Sequence, residues 1–174
     1  MTVNRRPITI VIAVACFSFI SDAATLRGAS AQDRMPGPLD IFQDFPDLRW
    51  EMSFQETRKA IEKSGARPFG LSNVKTELAW DGKFNGMMGR ATVIFKEGGG
   101  IYEIAVVVHA FDKREDVFKT WLKKLAEKYG AAKQEEDNSI ATSRLWRLKN
   151  GLAVELRVLK DQDSPVVDVH WVKE

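Results

Sequence analysis

IYEIAVVVHAFDKREDVFKTWLKKLAEKYG, residues 101–130, is the stretch that decides the fold. Residues 101–111 are apolar on both faces apart from Glu103 and His109, which predicts a central strand of a sheet. Asp112-Lys113-Arg114-Glu115 has the pattern of a capping box and predicts a helix that ends at Gly130. The side of this helix that packs on the sheet is predicted by one apolar stripe: Val117, Phe118, Trp121, Leu122, Leu125 and Tyr129.

Downstream of this stretch, Asn150-Gly151 lies at the centre of the clearest hairpin pattern in the chain. Alternating apolar residues predict strands over residues 144–149 and 152–159, and the Asn-Gly pair predicts a type I′ turn between them. A last strand is predicted over residues 166–172, after Ser164-Pro165. The acidic segment 134–139 is predicted to be a loop.

Upstream, Ser53-Phe54-Gln55-Glu56 is a second capping box, and it predicts a short helix that stops at Gly65. Period-two alternation then predicts strands over residues 74–80 and 90–96. Three consecutive glycines, residues 98–100, predict a tight hairpin turn into the central strand.

These elements predict an α+β fold with an antiparallel sheet of about six strands and two helices on one face. Their order is αβββαβββ, so that one unit of a helix and three strands occurs twice. A parallel sheet is not expected, because most of the connections between consecutive strands are too short for a crossover.

Residues 1–31 have the pattern of a bacterial secretory signal peptide. Two arginines, Arg5 and Arg6, precede an apolar run that is too short to span a bilayer. Cleavage is predicted after Ala31, with Ala23 as the runner-up site. Two alternatives are a lipid anchor attached to Cys16 and an uncleaved anchor. The predicted location is periplasmic or secreted, with a flexible tether over residues 32–49 and a single domain over 50–174.

Charge and cysteine content narrow the function of the mature chain. The leader carries Arg5, Arg6, Arg27 and Asp22, so the net charge of +2 belongs to it and the mature chain is formally neutral. A neutral chain lacks the basic surface of a nucleic-acid-binding protein, and no such partner is predicted. Cys16 is the only cysteine, so the mature domain is expected to be stable without disulfides.

The segment 81–89, DGKFNGMMG, is predicted to be a long hairpin loop. Its order of glycines and lysine does not match a phosphate-binding loop, because two strands flank it and no helix follows. Phe84, Met87 and Met88 are apolar residues within it. They are the candidate binding residues, as a small recognition patch, although the alternative is that they fold back onto the domain.

The two histidines, His109 and His170, lie near the ends of predicted strands. Asp168 is two residues from His170 on the same face, but a metal site needs further ligands at suitable spacing, so none is predicted. The chain has no Gly-x-Ser-x-Gly nucleophile motif, and Cys16 is removed with the leader. No catalytic residue and no cofactor are predicted, and the domain is expected not to be an enzyme.

Two patterns carry a family resemblance: Trp50-x-Met52-Ser53-x-x-Glu56-Thr57-x-x-x-Ile61 and Leu125-x-x-Lys128-Tyr129-Gly130. They resemble small exported domains of the β-lactamase-inhibitor-protein-like group, which includes outer-membrane assembly lipoproteins of the SmpA/OmlA type. The resemblance implies helices packed on an antiparallel sheet and protein binding instead of catalysis. Trp50-Glu51 replaces the usual glycine, and each unit has one helix where that group has two, so no functional residue is carried over.

The sequence therefore predicts an exported, non-enzymatic binding domain whose partner is an envelope protein or component. The alternative is a small-ligand carrier or enzyme that uses a cavity between the helices and the sheet. A third hypothesis is an accessory domain that forms homo-oligomers through an exposed sheet edge. No membrane span is expected after processing.

Overall fold

The computed structural model of this protein describes residues 37–38, 41–70, 76–160 and 166–173. The predicted leader lies outside them, with Ala31, Ala23 and Cys16, as does Ser164-Pro165. The described elements, in chain order, are α1 (Phe54–Lys63), β1 (Glu77–Phe84), β2 (Met87–Phe95), β3 (Ile101–His109), a 3-10 turn (Phe111–Lys113), α2 (Arg114–Tyr129), β4 (Gln134–Asp137), β5 (Ala141–Arg147), β6 (Leu152–Leu159) and β7 (Val166–Lys173).

The strands form one seven-stranded sheet in the order β1-β2-β3-β7-β6-β5-β4. Every neighbouring pair is antiparallel, which confirms the α+β class, and β3 is an interior strand between β2 and β7, as its two apolar faces predict. The predicted number of about six strands is one too few, because residues 134–137 pair with β5 where a loop was predicted. An edge strand needs only backbone partners, so an exposed acidic segment can form one without an apolar pattern. The observed order is thus αβββαββββ.

The first helix starts as predicted and the second does not. The Ser53 N–H donates to Glu56 Oε2 at 2.8 Å, and Ser53 accepts from the Glu56 N–H, so the capping box of α1 is complete. In contrast, α2 has no side-chain cap. The chain leaves β3 through a 3-10 turn in which Lys113 N–H donates to Ala110 O, so Asp112 lies inside this turn and caps nothing.

The structure differs from the prediction at both Asn-Gly pairs, Asn85-Gly86 and Asn150-Gly151. Residues 81–89 are not a long loop, because β1 and β2 continue to Phe84 and Met87 and only Asn85-Gly86 connects them. Both turn residues have positive φ, 51° and 85°, as a type I′ turn requires. At Asn150-Gly151 only Gly151 has positive φ, and its N–H donates to Leu148 O. That geometry fits a type I turn followed by a glycine bulge.

Residues 41–50 belong to the fold, so a tether reaching to residue 49 is wrong. Ile41, Phe42, Phe45 and Trp50 are all buried. The Phe42 ring lies between elements of the core, and Lys124 Nζ of α2 donates to Ile41 O at 2.9 Å. Aromatic side chains bury large apolar areas, which explains why this segment packs although it has no helix or strand of its own.

Both helices pack on the same face of the sheet. The buried side of α2, with Val117, Phe118, Trp121 and Leu125, contacts β6 and β7. Phe54 of α1 contacts the ring of Phe95 at 5.4 Å on the β2 side. All five tryptophans are buried between these layers: Trp50, Trp80, Trp121, Trp146 and Trp171. No helix in the described part of the chain is long and apolar enough to cross a membrane.

Candidate functional site

The sheet face turned away from α1 and α2 is the candidate functional surface, and we call it the back face. No described helix packs against it. Its centre is formed by alternate residues of β2, β3, β6 and β7: Thr92, Ile94, Glu103, Ala105, Val107, Arg157, Val166, Asp168, His170 and Val172. Most of these side chains are half-buried by their cross-strand neighbours. The side chains of this face are therefore closely packed against one another even without a covering helix.

An ion pair fixes the middle of the back face. Arg157 of β6 and Asp168 of β7 are direct cross-strand partners. Arg157 Nε donates to Asp168 Oδ1 at 3.1 Å, and Nη2 donates to Oδ2 at 2.9 Å. Asp168 is only 4% exposed, so the bidentate contact replaces most of its hydration. The same hydrogen bonds raise the pKa of Arg157 above its usual value.

His170 extends this ion pair into a network. Its Nδ1 lies 2.6 Å from Glu103 Oε1, while its Nε2 is 3.7 Å from Asp168 Oδ1, beyond hydrogen-bond distance. Nε2 is buried and has no hydrogen-bond partner among the residues that the structure describes. A general base needs a nitrogen that can reach substrate. With Nδ1 at Glu103 and Nε2 buried, the one hydrogen bond that His170 forms within the described ranges holds the Glu103 carboxylate in place.

His109 does not join His170. It is exposed at the end of β3, whereas His170 pairs with Ala105, four residues earlier on that strand. At about 3.3 Å per residue, the two backbones are roughly 13 Å apart. In the described ranges, no group of three or more His, Cys, Asp or Glu residues is placed to hold a metal ion.

A second ion pair lies near the β1 edge of the back face. Arg90 Nε donates to Asp81 Oδ1 at 2.8 Å, and this hydrogen bond lowers the pKa of Asp81. The Arg90 guanidinium also lies 5.1 Å from the ring centre of Phe69, at cation–π distance. Phe69 bridges to Ala79 outside β1 and is 37% exposed. Apolar groups and paired charged groups therefore lie side by side at this edge of the back face, as they do at its centre.

The three candidate binding residues are separated in the structure. Phe84 is 4% exposed, and its ring contacts Phe42 at 5.5 Å inside the core. Met87 is partly buried against the same core. Met88 alone points outward, at 59% exposure, from the back-face side of β2. The alternative that these side chains fold back onto the domain therefore describes Phe84 and Met87.

The space between α2 and the sheet is filled by aromatic rings. Phe42 lies edge-on to Trp121 at 5.0 Å and to Trp171 at 6.2 Å between ring centres, and all three side chains are at most 1% exposed. The Trp171 indole N–H donates to the Tyr129 hydroxyl, and the Trp146 indole N–H donates to Gly130 O. Close packing of this kind leaves no room for a ligand at these rings.

Comparisons with known proteins leave the function open. No family model matches the chain, and no curated protein matches it. Among solved structures, a DUF4309 family protein, YjgB, from Bacillus subtilis is similar with a TM-score of 0.44 and 14% sequence identity. The alignment covers 82% of this chain and 89% of the Bacillus chain. A likeness this weak carries no inference about activity or partners.

Proposed function

We propose that this chain is an exported, non-enzymatic binding domain that engages an envelope protein through the back face of its sheet. The observation that carries the proposal is a broad, half-apolar sheet face that the described chain leaves uncovered. The resemblance to β-lactamase-inhibitor-protein-like domains points in the same direction and is itself a prediction.

The composition of the back face suits protein recognition. Ile94, Val107 and Val172 supply apolar contact area around the central network. The charged groups among them are already paired, as with Arg157 and Asp168 at 2.9 Å. A partner would therefore not have to desolvate isolated charges, which is the largest penalty at a charged interface. The ion pairs also hold their side chains in one geometry, which lowers the entropy cost of binding.

The dimensions of the back face are also sufficient. Six of the seven strands have seven to nine residues and β4 has four, so spacings of about 4.8 Å between strands and about 3.3 Å per residue give a face of at most roughly 30 Å by 25 Å. This area, about 750 Å², is close to the ~800 Å² that each partner contributes to a standard protein–protein interface. The area of the back face is therefore large enough to form one partner's side of a protein–protein interface.

A charge-insertion variant tests the proposal. Ile94→Lys combined with Val107→Lys replaces two apolar contact groups in the middle of the back face with hydrated cations. Their direct cross-strand neighbours are Glu103 and Asp168, and both substituted side chains are already partly solvent-exposed, so the fold should tolerate the change. The immobilised parent domain is incubated with an envelope extract, and captured proteins are quantified by mass spectrometry. We expect proteins captured by the parent to be lost with this variant.

The matched control adds the same net charge, two positive units, on the exposed side of α2 through Glu115→Gln and Glu127→Gln. It should retain the proteins that the back-face variant loses. Equal capture by all three proteins, each shown by circular dichroism to be folded, would remove the back face from the proposal.

Export is tested separately. Mass spectrometry of the protein purified from its own host should show a mature N-terminus that follows Ala31, or Ala23 at the runner-up site. An acylated Cys16 would show that the domain is lipid-anchored, and an intact Met1 would contradict cleavage.

A further inference from the structure

Strand β4 is an open edge of the sheet. It is the last strand in the sheet order, and all four of its residues are exposed. Asn138 N–H donates to Ala141 O next to the β4–β5 pair. Because hydrogen-bonded positions alternate along an antiparallel ladder, Gln134 and Glu136 direct their backbone groups to β5. Glu135 and Asp137 then direct an N–H and a C=O each to the open side.

A groove follows this edge on the back face. Its volume is about 500 Å³, and it is lined by Gln134, Glu135, Glu136, Ser143, Leu145 and Glu155. Leu145 supplies an apolar floor, while the walls carry carboxylates. Of these, Glu135 is paired with Arg144 at 3.3 Å. Neither Glu136 nor Glu155 forms an ion pair with a lysine or arginine in the described ranges. Glu136 accepts a hydrogen bond from Asn138 Nδ2 at 2.7 Å, and Glu155 contributes to the raised pKa of Arg157, so the groove keeps a negative charge that is only partly compensated.

The charge of β4 determines what the edge can accept. Pairing with the same strand of a second copy would place Glu135, Glu136 and Asp137 opposite like charges, which destabilises a ladder. Acidic edge residues are a known protection against this kind of self-association. A strand with cations on alternate residues meets no such repulsion. Its long side chains can place their methylene groups on Leu145 and their charged ends near Glu136 and Glu155.

We propose that the β4 edge binds a basic, extended segment of a partner protein, which adds to the sheet as an eighth strand. Backbone hydrogen bonds to Glu135 and Asp137 would supply affinity, and the acidic groove would select lysine or arginine at alternate positions. The inference rests on the proposed function in that the ligand is a protein, but it uses the sheet edge and not the centre of the back face.

The test uses a fluorescent peptide, Lys-Val-Lys-Val-Lys-Val-Lys, titrated with the full mature domain and followed by fluorescence anisotropy. Glu136→Gln combined with Glu155→Gln should weaken binding about three- to tenfold, as expected for two partly exposed charge contacts. The matched control, Glu115→Gln with Glu127→Gln, removes the same charge from α2 and should leave binding unchanged.

Two further peptides test strand addition itself. Methylation of alternate backbone nitrogens, in each of the two registers in turn, removes the hydrogen bonds of one peptide edge and leaves the charge unchanged. One register should abolish binding and the other should not. The proposal would be overturned if both methylated peptides bound equally well, or if the groove variant and the α2 variant weakened binding equally. Either result would mean that the peptide is held by general charge attraction. No binding of the parent peptide would also overturn it.

These outcomes are independent of the Ile94→Lys and Val107→Lys experiment. If that variant loses envelope partners and the parent does not bind the peptide, the proposed binding function of the back face is supported and strand addition at the β4 edge is rejected. Peptide binding with no effect of the lysine variant would do the reverse.

Discussion

Replacing Phe42 with alanine tests whether the segment before α1 is part of the folded core. Phe42 is 1% exposed, and its ring contacts Phe84, Trp121 and Trp171 at 5.5, 5.0 and 6.2 Å between centres. Truncation of a buried phenylalanine costs about 3–5 kcal/mol. Edge-to-face ring pairs add about 0.5–1.5 kcal/mol each beyond burial, so we expect a loss near 4–5 kcal/mol in the free energy of unfolding.

The measurement is urea unfolding of the mature domain, followed by tryptophan fluorescence and by far-UV circular dichroism. A loss of this size is a large part of the ~5–15 kcal/mol that stabilises a typical domain, so the midpoint should fall steeply. Phe69→Ala is the control, because Phe69 is 37% exposed and its loss should cost about 1 kcal/mol or less. A chain that starts at residue 50 should be less stable than the Phe42→Ala variant.

Two results would refute this reasoning. One is a Phe42→Ala variant that loses no more stability than Phe69→Ala. The other is a chain starting at residue 50 that unfolds at the same urea concentration as the parent. Either would mean that residues 41–49 are a tether after all.

Three further predictions concern charges and caps. Arg157→Leu leaves Asp168 buried without its partner and should lower the free energy of unfolding by about 1–3 kcal/mol, a value reduced because the Arg157 side chain is 39% exposed. Adding Asp168→Val should restore most of the lost stability in urea unfolding. The hydrogen bonds from Lys160 and Thr142 lower the pKa of Asp137 below its ordinary value of 3.8. The contribution of Asp137 to the free energy of unfolding is therefore present above about pH 4 and is lost as the pH falls through the folded-state pKa. Asp137→Asn should make the acid side of the stability–pH profile shallower. Ser53→Ala removes the α1 cap and should cost about 1 kcal/mol, whereas Ser53→Asp should retain most of the stability in the same assay.

The elements with strong apolar periodicity were predictable, and those held by backbone contacts alone were not. The apolar stripe of α2 correctly predicted a helix that packs on the sheet, and the two apolar faces of β3 correctly predicted an interior strand. Strand β4 has no apolar residue, so only its hydrogen bonds to β5 reveal it. Phe42 and Phe45 lie among prolines and polar residues, where a sequence pattern does not distinguish a linker from a packed segment.

Only some residues of the candidate site could be predicted from the sequence. His170 and Asp168 stand out in the sequence, but their partners Glu103 and Arg157 are on other strands, and only the register brings them together. Opposite charges at alternate positions of neighbouring strands are a usable signal. It points to Arg157 and Asp168 once β6 and β7 are known to be adjacent. The prediction of a long loop over residues 81–89 misses the Asn85-Gly86 turn, whereas the alternative that Phe84 and Met87 fold back onto the domain agrees with their burial.

The sheet order has a consequence for how the chain folds. Strands β1–β3 and β4–β6 are each joined by short connections and can form from local contacts, but within the described sheet β7 is the strand that joins the two groups. Contacts across that seam join residues as far apart as Glu103 and His170, 67 positions away in sequence. Non-local pairing of this kind is slow to form. The cooperative folding step must therefore wait until the C-terminus is available, and loss of residues 166–173 should leave two unfolded halves instead of a smaller domain.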